Sequence, residues 1–251
     1  KVHWPLEESH AGRNLRLSPL HETLKKAGAV FGSRAGWERP NWFAPAGVDP
    51  VDVPSFEDRP NWFSHVGAEC RAIRERAVLI DQTSFAKFEI TGPGTQAALE
   101  RIAANDLSGP PGKAVYTQLC NGKGGIEADV TLVHAGPDHF YLITGSGFGV
   151  RDSGWVAKHL PPSVQIRDVT NALAVINICG PRSRDILQSV TDADISNVAL
   201  PFFGARRIDV GHAAVLAVRV GYVGELGYEL YIPQEFGAHV YDTLWEAGKA
   251  H

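Results

Sequence analysis

The stretch ADVTLVHAGPDHFYLITG (residues 128–145) constrains this chain more than any other, because apolar character alternates on both sides of a turn made by Gly136, Pro137 and Asp138. A period of two marks a strand with unlike faces, and two such runs around a short turn predict an antiparallel hairpin. The runs AVINICGP (174–181), AAVLAVRVGY (213–222) and YELYIP (228–233) are rich in Val, Ile and Ala and read as further strands. KFEITGPG (87–94) alternates in the same way before a Gly-Pro turn. Helical patterns lie between them. SHVGAECRAIRERAVL (64–79) offers Ser64 as a cap and spaces Val66, Cys70, Ile73 and Ala77 three or four residues apart. TQAALERIAAND (95–106), PRSRDILQSV (181–190) and EFGAHVYDTLWEAGKA (235–250) are also read as helical. Hairpins mixed with helices, without strict strand-helix alternation, place the chain in the α+β class, with antiparallel sheets and helices packed on one side.

Residues 1–63 have a different texture. They hold four of the six tryptophans, and ERPNWF at 38–43 returns as DRPNWF at 58–63. Two copies are too few for a solenoid, so each Trp-Phe pair reads as an anchor holding an irregular segment onto a neighbouring surface, with Pro40 and Pro60 fixing the backbone. One helix is expected here, in SPLHETLKKAG (18–28), with Ser18 as N-cap, Pro19 at the first helical position and Gly28 as the stop.

A length of 251 residues fits one large domain or two smaller ones. The net charge of -4 supplies no basic surplus to neutralise a phosphate backbone, which argues against nucleic acid as a partner. No apolar run approaches the roughly 18 residues that span a bilayer, so no membrane association is expected. Cys70, Cys120 and Cys179 lie far apart without a CxxC pair, and the ten histidines show no HxH or HExxH spacing. The expectation is therefore no metal site and a reducing, cytoplasmic location. Methionine is absent throughout, which reads either as a piece of a longer polypeptide or as a sequence from which methionines were dropped.

Among sites for chemistry, GSGFGV (145–150) lacks the GxGxxG spacing of a dinucleotide loop and reads as a strand-ending loop with permissive glycines. No GxSxG elbow occurs. Two stretches remain. AVYTQLCNGKGGIEADVTLV (114–133) carries Tyr116 and, at the start of a strand, Asp129; RVGYVGELGYELYIP (219–233) carries Tyr222, Glu225, Tyr228 and Glu229 around three glycines. A carboxylate abutting an apolar strand must find donors in the protein or in a bound molecule, so Asp129 and Glu229 point to an aromatic-lined pocket with fixed acceptors, while Glu225 reads as an exposed turn residue.

These two stretches resemble the signature segments of the glycine-cleavage T-protein, or aminomethyltransferase, family. DQTSFAKFEITGPGTQAALERIAANDLS and NICGPRSRDIL match the family's N-terminal half in order and spacing. The segment AGRNLRLSPLHETLKKAGAVFGSRAGWERPNWF is similar to the one preceding a T-protein-like domain in dimethylglycine and sarcosine dehydrogenases or oxidases. The resemblance implies a connecting segment at 1–63 and the N-terminal part of a folate-binding domain at 64–251, the C-terminal part being missing. It also implies transfer of a one-carbon unit from an amine-bound methylene or iminium, as in dimethylglycine or sarcosine, to tetrahydrofolate, giving 5,10-methylenetetrahydrofolate. By the same resemblance Asp129 is the catalytic aspartate, Glu229 the pterin-binding glutamate, and Tyr116 and Tyr222 are aromatic folate contacts. Phe203 stands where some relatives place a tyrosine, so only a packing role carries over. FAD belongs to a flavin domain or subunit outside this chain, so the chain by itself is not expected to oxidise an amine. A free-standing aminomethyltransferase, a folate-dependent demethylase and a non-catalytic binding module that kept the fold stay open as alternatives.

Overall fold

Along residues 126–136, Ala128, Val130 and Leu132 turn to one side of the strand and are buried with outer helices, whereas Val133 faces the other way into a second core. That division repeats across the molecule and sets its layers. The computed structural model describes residue 8 and residues 10–251. In chain order the elements are α1 (His21–Lys26), β1 (Ala29–Arg34), β2 (Trp37–Phe43), α2 (Phe63–Glu75), β3 (Val78–Asp81), β4 (Ala86–Thr91), α3 (Thr95–Glu100), β5 (Lys113–Cys120), β6 (Ile126–Gly136), β7 (His139–Thr144), α4 (Gly149–Ala157), β8 (Gln165–Asp168), β9 (Leu173–Cys179), α5 (Ser183–Gln188), β10 (Ala205–Val210), β11 (Ala213–Val218), β12 (Gly227–Pro233) and α6 (Gly237–Gly248).

Two five-stranded sheets, ordered β5-β6-β7-β4-β8 and β10-β11-β12-β9-β3, are antiparallel throughout. The outer face of the first meets α3 and α4 through Leu99 and Val156. The outer face of the second meets α1, α5 and α6 through Leu24, Leu187, Val240 and Leu244. Between the sheets, Ala114, Val133 and Ile143 pack on Val175, Leu216, Val218 and Tyr231. The order of layers is helix, sheet, sheet, helix, so the α+β expectation holds, with each sheet carrying its helices on one face.

The two sheets are tied at one edge by backbone. Ala114 N–H donates to Phe203 O at 2.7 Å and Ala205 N–H to Gly112 O at 2.8 Å. At the opposite edge the chain steps directly from β3 to β4 and from β8 to β9. Lys87, fully buried on β4, donates to Thr83 O at 2.7 Å in the β3–β4 crossing. Burial pulls its ammonium down to about 7, against the opposing pull of Asp81 and Asp168.

Several expectations change in detail. Helix α1 begins at His21 because Ser18 Oγ accepts from Leu20 N–H at 2.9 Å, capping the turn before the helix instead of the helix itself. Gly28 is the stop: its φ is +92°, and a Cβ there would lie 2.3 Å from Ala44 O. Helix α3 ends at Glu100, short of Asp106, because the backbone of Ile102 and Ala104 is taken up by Cys120 and Gln118 of β5. Helix α2 starts at Phe63, ends at Glu75 and buries no residue fully. The glycines of GSGFGV do not use positive φ. Gly149 instead lets α4 lie on β4, where an added Cβ would stand 2.7 Å from Ala86 Cβ.

Within residues 1–63, the stretch 29–43 is a β1–β2 hairpin whose register shifts between Val30 and Phe31, while 44–62 contains no helix or strand. The two PNWF copies converge on the latter. Asn41 Nδ2 and Trp42 Nε1 donate to Asp52, and Asn61 bonds Val51 O and Val53 N–H. Trp42 is buried with Val30 and Ala44, and Trp62 and Val66 pack against them, so the tryptophans act as anchors.

Candidate functional site

The seam between the sheets is apolar at one end and opens at the other into a cleft of about 750 Å³. Ile143, Val175 and Tyr231 belong both to the core and to the cleft, so they form its floor. Along β6, on the face that carries Val133 in the core, Asp129 and Thr131 line the opening; along β12, Glu229 does so two residues before Tyr231. This explains a carboxylate at the start of an inward-facing strand: the same face leaves the core and enters a cavity. Tyr116, Phe203 and Tyr222 line the same cleft, so all five residues singled out in the sequence meet there.

Both oxygens of Asp129 are held. Tyr116 Oη donates to Oδ2 at 2.7 Å, and Gln118 Nε2 donates to Oδ1 at 3.3 Å from the position directly opposite Asp129 in the β5–β6 register. The hydrogen bond to Asp129 raises the pKa of the Tyr116 phenol, because losing that proton would set two negative charges together. Glu229 projects from the facing sheet. Tyr231 Oη donates to its Oε2 at 2.6 Å, the one hydrogen bond to its carboxylate among the described residues. Burial raises the Glu229 pKa, and the Tyr231 hydrogen bond offsets part of that rise. Tyr231 itself is pushed well above the ordinary phenol value, first by burial and then by Glu229.

Aromatic rings form the walls. Phe203 has a φ of +62°, unusual for a bulky residue, and its backbone links the sheets by accepting from Ala114 N–H and donating to Arg219 O at 2.9 Å. Its ring lies 4.3 Å from that of Phe202. Tyr222, on the β11–β12 loop and 75% exposed, meets Phe85 edge-on at 6.3 Å. Glu127, Asp129, Asp152 and Glu229 face a single lining guanidinium, Arg151. Arg151 is itself engaged by Glu127 at 2.9 Å and Asp152 at 3.2 Å. A cleft with this balance favours cations and donor-rich molecules.

Sequence reasoning missed Gln118, Tyr231 and Arg151. The first two were detectable in principle: Gln118 sits two residues from Tyr116 and Tyr231 two from Glu229, hence on the same strand faces. Arg151 carried no such signal, since it approaches from α4.

The family model described as GCVT N-terminal domain matches residues 20–251. Among curated proteins, the chain is 38% identical over 249 residues to 4-methylaminobutanoate oxidase (formaldehyde-forming) of Paenarthrobacter nicotinovorans, covering 99% of this chain and 30% of that protein. It is 35% identical over 289 residues to mitochondrial sarcosine dehydrogenase of Homo sapiens, covering 100% of this chain and 32% of that one. The chain thus spans about a third of the length of these relatives. Among solved structures, glycine cleavage system aminomethyltransferase T from Bartonella henselae aligns with a TM-score of 0.75 at 22% identity, over 94% of this chain and 58% of that one, a likeness of fold.

Proposed function

The chain belongs to the GCVT N-terminal domain family, and from that premise we propose that its cleft binds tetrahydrofolate and serves one-carbon transfer from an amine-bound methylene or iminium, forming 5,10-methylenetetrahydrofolate. In this reading the chain is the folate-binding portion of a dimethylglycine or sarcosine dehydrogenase-like protein, with residues 1–63 as the connecting segment and 64–251 as the N-terminal part of the folate domain. FAD and amine oxidation belong to a flavin domain or subunit outside the chain. A reducing, cytoplasmic compartment belongs to the same reading.

The observation that carries the reading is the pair of carboxylates, Asp129 and Glu229, on facing sheets of one aromatic-walled cleft. The donor set fits the ligand. A pterin presents a ring N–H beside an exocyclic amine, and a half-buried carboxylate with one protein donor keeps acceptor capacity for both. The flat ring suits the aromatic walls. Tetrahydrofolate, when bound, supplies the nitrogens that take up the carbon unit.

Asp129 meets the opposite requirement. Its carboxylate is fixed by Tyr116 and Gln118, so it stabilises a cation beside it without having to reorient, and it can accept a proton released as the carbon unit changes partner. The test is to feed the full-length protein sarcosine or dimethylglycine carrying a 13C label on its N-methyl groups. With saturating tetrahydrofolate the label is expected in the folate pool; label released only as formaldehyde would refute the proposal.

A further inference from the structure

Directly across from Glu229 in the β12–β9 register stands Asn177. Its neighbours along β9 divide by face: Ala174, Ile176 and Ile178 join the helix-side core, while Val175 faces the seam between the sheets. Alternation puts Asn177 on the seam face with Val175 and Glu229. The residue is fully buried, and it is alone among the described residues in having both polar side-chain atoms, Nδ2 and Oδ1, buried without a hydrogen-bond partner. Packing does not require an amide there, because a leucine fills a similar shape, and a buried amide with no partner is costly.

Position gives the amide a use. Cross-strand neighbours on one face lie within side-chain reach. Tyr231 holds Glu229 through Oε2 from two residues along the same strand. A half-buried carboxylate stays ionised only with donors around it, yet a lysine or arginine would bind it outright and compete with any ligand. An uncharged amide avoids that conflict. We infer that Asn177 is a positioning residue for Glu229: its amide donates to the carboxylate when Glu229 carries its charge against a ligand, keeping that group ionised and oriented. The other titratable groups facing Glu229 are Tyr231 on its own strand, Tyr222 on the β11–β12 loop, and, across the cleft, Tyr116, Glu127, Asp129, Asp152 and Arg151.

The inference rests on Glu229 being the folate-binding carboxylate, but its first test does not need folate. The carboxyl stretch of Glu229, isolated by difference infrared spectroscopy against Glu229→Gln, is followed with pH in the unliganded protein with and without Asn177→Leu. Asn177→Leu is expected to melt at the same or a higher temperature, while Glu229 takes up its proton at higher pH than in wild type. Asn177→Ala, too small to clash, carries the same expectation for the titration. In calorimetry, Asn177→Leu is expected to bind tetrahydrofolate about tenfold more weakly, with the loss of affinity on acidification displaced to higher pH. A Glu229 that titrates in both variants as in wild type overturns the inference. A displaced titration in a protein that binds no tetrahydrofolate keeps Asn177 as the positioning residue and removes the folate reading instead.

Discussion

In the proposed reaction, Asp129 is where chemistry and recognition separate most cleanly. Asp129→Asn keeps the shape and one acceptor oxygen while removing charge and basicity. The expected outcome is retained tetrahydrofolate affinity with transfer slowed about 100- to 10,000-fold, read from single-turnover label transfer. Tyr116→Phe removes one of the two donors that orient Asp129 and is expected to slow transfer about tenfold, the value of one hydrogen bond to a charged group. Glu229 carries a stability signature as well. Its pKa is raised by burial, so the folded state holds its proton more tightly than the unfolded state. The resulting cost is absent below the unfolded pKa and complete above the folded one. Glu229→Gln is therefore expected to raise the melting temperature at neutral pH and to lose that advantage in acid. The five residues picked out in the sequence share one cleft, yet two side-chain relations across strands were not legible there. Gln118 reaches Asp129 from a neighbouring strand, and Asn177 stands opposite Glu229 from another. Pairing register, which a single sequence does not display, decides both.

At the scale of elements, legibility followed the regularity of the pattern. The β6–β7 hairpin, β4, β9, β11 and β12 could be read because one face of each is continuously apolar. Strand β5 escaped because its seam face carries Tyr116 and Gln118, and β10 because Arg206, Arg207 and Asp209 interrupt its apolar positions. The β1–β2 hairpin was hidden by Pro40 and by tryptophans in a stretch that resembles a loop. Trp42 is the centre of that hairpin's small core with Trp62. Trp42→Ala is expected to cost about 3–5 kcal/mol and to expose residues 44–62 to proteolysis before the sheets unfold, as limited digestion would reveal. On β4, Lys87 binds fewer protons folded than unfolded between about 7 and its ordinary 10.5, so its contribution makes stability rise with pH across that window. Lys87→Met is expected to flatten the rise and to stabilise the protein below pH 7 by roughly 2–4 kcal/mol, checked by urea unfolding on both sides of neutrality.

For the whole molecule, the decisive feature is that two antiparallel sheets press together at one end and part at the other. Apolar pairs close the seam; where they stop, the same strand faces carry carboxylates and aromatic rings. The fold class was legible from alternation, but the face-to-face placement of the sheets was not, because it depends on backbone links such as Ala114 to Phe203 that bring distant segments together. The proposed function divides labour across the cleft, with Glu229 on one sheet gripping the folate and Asp129 on the other serving the transfer. Calorimetric titration of tetrahydrofolate into wild type, Glu229→Ala and Asp129→Asn tests it directly. Saturable binding is expected in wild type and Asp129→Asn, with a severe loss of affinity in Glu229→Ala; wild-type affinity in Glu229→Ala would rule out this division of labour.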